Sequence, residues 1–284
     1  MERIQRALDL AKLQRAHGLL DEEPRFGATH PRAEPAEDPR VERAAFAREF
    51  TLSAIECTRR VSLGWNRLRE NRVISSDDDR PAAHAYRMLR TQILQRARMH
   101  GLTTLGVVSA VNSEGKTLTA INLALSLAAD PNQTVLLVDL DLRRPAIAHT
   151  LGLNVERGLE TWLHGDEPTR NVCYGVEGVE RLYILPTLAP VPGSSEVLAD
   201  VTTRRLLGEL KGRDPGRMLV IDMSPVLLSD DALTVAPLLD AVVLVVNERK
   251  TRREDIVRVV ELLGQTRIVG TVLNCSSESE RRAY

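Results

Sequence analysis

Ser109-Ala110-Val111-Asn112-Ser113-Glu114-Gly115-Lys116-Thr117 joins a short apolar run, residues 104–109, to a longer helical pattern over 116–129. The run has the length and composition of a buried strand, and 116–129 has the spacing of a helix. Gly115-Lys116-Thr117 is the second half of a phosphate-binding loop, with Ala110 where the first glycine of that pattern falls. The chemistry comes from the geometry. A strand–turn–helix junction turns successive backbone N–H groups inward and aims the positive end of a helix at an anion. A bare Gly-Lys-Thr is a weak signal, but strand, turn and helix stand in register here. Ala110, Asn112, Ser113, Glu114, Gly115, Lys116, Thr117 and Leu118 are therefore the expected nucleotide cradle. Lys116 would bridge the β- and γ-phosphates of ATP, and the Thr117 hydroxyl would ligate Mg²⁺.

Outward from the loop, runs of Val, Leu and Ile alternate with helical patterns. A helix over 82–100 precedes it. Strands lie downstream at 134–139, 217–222, 241–247 and 268–274, with helices at 202–211 and 253–263 and a long mixed region up to 199. Strands that are apolar on both faces belong to a parallel sheet covered on both sides. The expected fold is α/β, doubly wound and mostly parallel, of the P-loop NTPase type.

Two aspartate segments support the loop. Val135-Leu136-Leu137-Val138-Asp139-Leu140-Asp141-Leu142-Arg143-Arg144-Pro145 places two carboxylates, one residue apart, at the carboxyl edge of a strand. Both would face the crevice where ligands of open α/β sheets bind. Beside Mg²⁺·ATP such a pair can divide labour, one near the metal and one accepting a hydroxyl proton. Asp222 ends the run Met218-Leu219-Val220-Ile221, where a carboxylate would hold the metal or its water shell. Thr117, Asp141 and Asp222 are the candidate metal ligands.

The flanks read differently. Residues 1–20 carry Ile4, Ala7, Leu8, Ala11 and Leu19 at helical spacing, an amphipathic helix, and 21–43 hold Pro24, Pro31, Pro35 and Pro39 among charges, a linker. Residues 44–80 show scattered apolar positions and Trp65 without a clear pattern. Asp77-Asp78-Asp79-Arg80-Pro81 marks a boundary and a helix start, so 81–275 is the expected catalytic body and 276–284 a tail.

Composition narrows the field. Lys+Arg 38 against Asp+Glu 39 leaves a net charge of -1, and 3% aromatics offer few rings for base stacking, so a dedicated nucleic-acid binder is disfavoured. Cys57, Cys173 and Cys275 lack disulfide or zinc spacing, which fits a reducing cytoplasm. The apolar runs 135–138 and 241–246 are far short of a membrane span. A cytoplasmic chain acting at a membrane would have to be brought there.

In order, these motifs resemble the bacterial tyrosine kinases of capsule and exopolysaccharide synthesis. Residues 109–117 resemble their first phosphate-binding motif, 135–145 their second aspartate motif, and 219–225 with Asp231-Ala232 their third. Tyr86-Arg87-Met88-Leu89-Arg90-Thr91-Gln92-Ile93 is similar to the helix before their first strand, and 186–198, with Pro190, Pro192, Ser195 and Glu196, to their Pro-rich lead into a helix. The helical start, Pro-rich linker and residues 67–74 are similar to stand-alone kinases found with exosortase-linked polysaccharide loci. The resemblance implies that Lys116 binds phosphates, Thr117 and Asp222 hold Mg²⁺, Asp139 and Asp141 serve catalysis with Asp139 as the base, and Asn274 reads the adenine. It further implies autophosphorylation of tail tyrosines between subunits of a homo-oligomer, and a membrane chain-length regulator (a polysaccharide co-polymerase) as activator that recruits the kinase to the inner face of the plasma membrane.

Three positions depart from the family pattern: His84 replaces the glutamate that accompanies Arg87 and Arg90 in the oligomerisation helix, Tyr284 is the single tyrosine of the tail, and Ser224 stands where proline is usual. Ser224 is expected to be tolerated. The rival reading is a related P-loop ATPase switch of the kind that positions chromosomes or division sites. Those proteins carry a lysine near the start of the loop, where this chain has Val111. Of the lysines, Lys12, Lys116, Lys211 and Lys250, none lies in 109–114. Lys250 comes after a strand end on the crevice side, with no role legible from sequence.

Overall fold

A computed structural model describes residues 57, 59–75, 78–165, 168–211 and 216–276. The expected 1–20 helix, the 21–43 linker and Tyr284 lie outside the described residues. In chain order the strands are β1 (Arg59–Val61), β2 (Thr104–Ser109), β3 (Thr134–Leu140), β4 (Tyr174–Val176), β5 (Val179–Leu185), β6 (Arg217–Met223), β7 (Ala241–Asn247) and β8 (Ile268–Asn274). They form one 8-stranded sheet in the order β1-β4-β5-β3-β6-β2-β7-β8. All neighbours are parallel except β4 and β5. The mostly parallel, doubly wound fold expected from sequence is the one observed.

The strands are apolar throughout because both faces are covered, and the side chains still alternate. Leu105, Val107, Val135, Leu137, Met218, Val220, Val243 and Val245 enter one buried cluster. Val108, Leu136, Val138, Leu219, Ile221, Val242 and Leu244 enter the other. Each fully buried Leu or Val contributes about 1.5–3 kcal/mol relative to exposure. The first cluster is closed by α1 (Trp65–Glu70), α2 (Pro81–His100) and α3 (Lys116–Ala128). Pro81 occupies the first turn of α2, as expected, and Gly101 (φ 64) terminates it.

Between β3 and β6 the chain makes α4 (Ile147–Leu151), α5 (Leu159–Leu163), α6 (Thr169–Val172), the β4–β5 hairpin, α7 (Ser194–Ala199) and α8 (Val201–Lys211). After β6 come α9 (Asp231–Val235) and, beyond β7, α10 (Arg253–Leu263). α8 is the helix expected over 202–211; the helices before it, of one or two turns, leave little periodicity to read, which is why the region up to 199 shows only as mixed in the sequence. Residues 59–74, also without a clear pattern, join the folded body. β1 extends the sheet beside β4, and Leu63, Leu68 and Val73 enter the first cluster. The Ile74 amide donates to Asn122 Oδ1 at 2.9 Å, and Asn71 Nδ2 donates to the Thr150 carbonyl at 2.8 Å. β6 lies between β2 and β3 although it comes after both in sequence, so the carboxyl ends of these three strands converge on one crevice.

Candidate active site

The loop joins β2 to α3 with two residues in the left-handed region, Ser113 (φ 58) and Gly115 (φ 95). Glycine is required at 115: a Cβ there would sit 1.9 Å from Asn274 Nδ2. That amide donates to the Glu114 carbonyl at 2.9 Å, and Asn274 Oδ1 accepts the Cys275 amide at 2.9 Å. Asn274, expected at the adenine, therefore stands against the phosphate loop. Ala110 is buried under the loop, whereas Asn112 and Thr117 are half-buried and Ser113 is exposed at its crest; Leu118 packs on the first cluster.

Glu114 lies wholly inside. Its Oε2 accepts the Val111 amide at 2.9 Å and its Oε1 accepts the Thr251 hydroxyl. Lys250 donates from Nζ to the Asn112 carbonyl at 2.7 Å. The turn after β7 thus braces the loop from outside with an ammonium and a hydroxyl. Sequence reasoning missed this role. The shortage of lysines singled Lys250 out, but the partner lies 138 residues away and only the fold reveals it.

Beneath the loop are three aspartates and one lysine. Lys116 Nζ lies 2.6 Å from Asp141 Oδ2 and 3.3 Å from Asp222 Oδ1. The Thr117 hydroxyl donates to Asp222 Oδ2 at 2.5 Å. Asp139 and Asp222 are register partners on β3 and β6, so their carboxylates share one edge. Asp139 Oδ2 accepts the amides of Ala146 and Ile147, both at 3.0 Å, and Oδ1 accepts the Asp141 amide at 3.3 Å. Asp141 Oδ1 accepts the Ser224 hydroxyl at 3.1 Å and the Arg144 amide at 3.2 Å. The residues of the two aspartate motifs and of the loop therefore meet in one place. Tyr284 is the candidate the described residues do not include.

The charges do not balance. Burial and the neighbouring Asp222 push the Asp139 carboxyl well above the usual range. Burial also raises Asp222, against the opposing pull of Lys116 and Thr117. Burial alone would depress Lys116, but Asp222 and Asp141 hold its ammonium above the ordinary value. One ammonium shared between Asp141 and Asp222, with Asp139 held toward its neutral form, leaves negative charge that a divalent cation would compensate, and the oxygen donors Thr117, Asp141 and Asp222 suit Mg²⁺. Among the described residues no three carboxylates or imidazoles converge to hold a metal alone. That is in keeping with Mg²⁺, which takes one or two carboxylates and completes its shell with phosphate and water.

Comparison with known proteins leads the same way. No family model matches the chain. Tyrosine-protein kinase YwqD of Bacillus subtilis is 25% identical over 221 residues, 77% of this chain and 92% of that protein. The succinoglycan biosynthesis transport protein ExoP of Rhizobium meliloti is 28% identical over 185 residues, 63% of this chain but 23% of that longer protein. Among solved structures, the VpsO kinase domain superposes with a TM-score of 0.62 at 32% identity, covering 69% of this chain and 95% of that one. The septum site-determining protein MinD of Pyrococcus horikoshii, complexed with Mg-ADP, gives 0.52 at 25% identity over 63% and 72%. The kinase domain is nearer on identity, on coverage and on superposition, and YwqD is a tyrosine-protein kinase, so the rival ATPase reading is the weaker. The chain belongs to the bacterial tyrosine kinases of capsule and exopolysaccharide biosynthesis.

Proposed function

We propose that the chain is an autokinase that transfers the γ-phosphoryl group of Mg²⁺·ATP to a tyrosine hydroxyl, releasing ADP, within the machinery that sets polysaccharide chain length and export. The observation that supports this most is the meeting of Lys116, Thr117, Asp141 and Asp222 under a braced phosphate loop. Mg²⁺, when bound by Thr117 and Asp222, would neutralise charge on the phosphates. Lys116 leaves Asp141 and Asp222 to reach the β- and γ-phosphates, and the loop amides orient them. Phosphoryl transfer asks the protein mainly for position and charge, which a rigid loop supplies.

A base must come within hydrogen-bond reach of the hydroxyl it serves. Asp139, the base implied by the family pattern, is enclosed and spends both oxygens on backbone amides. Asp141 carries Lys116 on Oδ2, a partner that departs for the phosphates. We therefore assign the proton to Asp141, which leaves Mg²⁺ to Thr117 and Asp222, and to Asp139 the fixing of the strand end. Asn274 ends β8 and donates to the Glu114 carbonyl of the loop, and from there we assign it to the base of the nucleotide.

No helix among the described residues is long and apolar enough to cross a membrane. Recruitment to the inner face of the plasma membrane by a membrane co-polymerase fits that, as does ExoP, a transport protein of which the matched region is about a quarter. The acceptor is Tyr284, in its own or a neighbouring subunit. The test is incubation of the purified full chain with labelled ATP and Mg²⁺, then phosphoamino-acid analysis and peptide mapping. Label on tyrosine, lost in Lys116→Ala, is expected; label on serine, or label surviving that change, would sink the assignment. Tyr284→Phe retaining all label would remove the tail acceptor alone.

A further inference from the structure

Ser224 stands where the family pattern has proline and where the sequence suggests no more than tolerance, yet its hydroxyl lies between two carboxylates. Its Oγ is buried, 3.1 Å from Asp141 Oδ1 and 3.3 Å from Asp231 Oδ2. A serine hydroxyl has one hydrogen to donate, so it can serve one carboxylate at a time. Asp231 is provided for without it. Oδ2 accepts from Arg143 Nε at 3.2 Å, and Oδ1 lies 2.8 Å from the Ser195 hydroxyl, which is shared with Asp230 Oδ1 at 2.6 Å. Asp141 also has two others, the Arg144 amide on Oδ1 and the Lys116 ammonium on Oδ2, but the second is the one that leaves for the phosphates.

We propose that Ser224 is a positioning residue whose hydroxyl fixes the plane of the Asp141 carboxylate once Lys116 has moved to the phosphates, leaving Oδ2 aimed at the reacting hydroxyl. The proposal rests on Asp141 being the group that takes the proton. With Lys116 gone, the donors left on Asp141 are Ser224 and the Arg144 amide, both on Oδ1, one from the loop after β6 and one from the turn after β3. Two donors from different elements on one oxygen stop the group from turning; one alone leaves it a hinge.

The experiment compares wild type with Ser224→Ala, Ser224→Cys and Ser224→Thr in the full chain. It records phosphotyrosine formation, ATP hydrolysis, Mg²⁺·ADP affinity and melting temperature. Small displacements of a catalytic group can cost up to about 10²-fold in rate. We expect Ser224→Ala to lower kcat about ten-fold or more, with nucleotide affinity and KM for ATP within about two-fold and thermal stability unaltered. Cys, nearly isosteric but a weak donor, should behave as Ala, and Thr should restore most of the rate. Unchanged kcat in the Ala variant, or kcat, affinity and melting temperature falling together, would overturn the proposal. Should wild type hydrolyse ATP without forming phosphotyrosine, the kinase reading fails and Ser224 is judged on hydrolysis. Should it do neither, a crystal structure of the Ala variant decides: a rotated Asp141 carboxylate supports the proposal and an unmoved one contradicts it.

Discussion

The two ends of the central sheet each carry buried or half-buried aspartates, and their fates are opposite. At the amino end Asp240 accepts the amides of Thr103 and Thr104 at 2.7 and 2.9 Å and the Thr103 hydroxyl at 3.0 Å, all on Oδ2. Lys211 adds its ammonium at 3.1 Å from Oδ1. Against the upward push of burial, these donors bring the Asp240 carboxyl down to about 2. At the carboxyl end Asp139 and Asp222 are held up by burial and by a neighbouring carboxylate, Asp222 for Asp139 and Asp141 for Asp222. One end spends its donors on stability. The other retains uncompensated charge, which is what a site awaiting a cation and a phosphate needs.

Removing the lysine should disturb the contrast most. Lys116→Ala is expected to lower phosphotyrosine formation about 10³-fold, the upper range for loss of one preorganised charge in a reaction centre. A labelled-ATP time course measures it. Asp141→Asn should lower kcat about 10²-fold, the low end for a lost general base, with nucleotide affinity nearly unchanged. Equal loss of both would make Asp141 a metal ligand instead. Gly115→Ala forces a Cβ into a left-handed position at a cost of roughly 1–2 kcal/mol and into Asn274. Nucleotide affinity should fall about ten-fold by titration calorimetry, and adding Asn274→Ala should recover the steric part.

The smallest effects separate the two ends further. Asp240→Asn should destabilise the fold by about 1–2 kcal/mol after solvent screening at a side chain 25% exposed, without altering turnover. Its folded pKa lies below the unfolded one. Its contribution is therefore complete above about pH 4 and fades as pH falls toward 2; denaturant titrations of wild type and variant should converge in that window. Asp139 and Asp222 are raised, so they act with the opposite sign, and the unliganded fold gains stability as pH falls through their folded pKa values. Asp139→Asn keeps an oxygen for the Ala146 and Ile147 amides, gives up the longer bond to the Asp141 amide, and removes the cost of a charge at a wholly buried site. It should melt no lower than wild type.

Much of this was legible because it is local. β2, the loop and α3 are contiguous, and β2, β3, β6, β7 and β8 announce themselves as apolar runs within a residue or so of their observed ends, whereas β5, parallel to β3, lies in the region that reads only as mixed. The pair Asp139 and Asp141 and the lone Asp222 were visible as strand-end carboxylates. What stayed hidden depends on pairs distant in sequence. Lys250 and Thr251 reach the loop across 138 and 137 residues, and Ser224 reaches Asp141 across 83. β1 is three residues long and gains its place from pairing with β4, which no local pattern records. The division proposed between Asp139 and Asp141 is likewise unreadable in the sequence, since it rests on backbone amides that only α4 and its approach bring into reach.

The most direct test of the contrast between the two ends is calorimetric titration of ATP into the purified chain with and without Mg²⁺, for wild type, Asp222→Asn and Asp240→Asn. Mg²⁺ should strengthen binding in wild type and in Asp240→Asn to the same degree, and Asp222→Asn should lose the Mg²⁺ dependence. Mg²⁺ dependence surviving in Asp222→Asn, or lost equally in both variants, would contradict the assignment of the uncompensated charge to the carboxyl end.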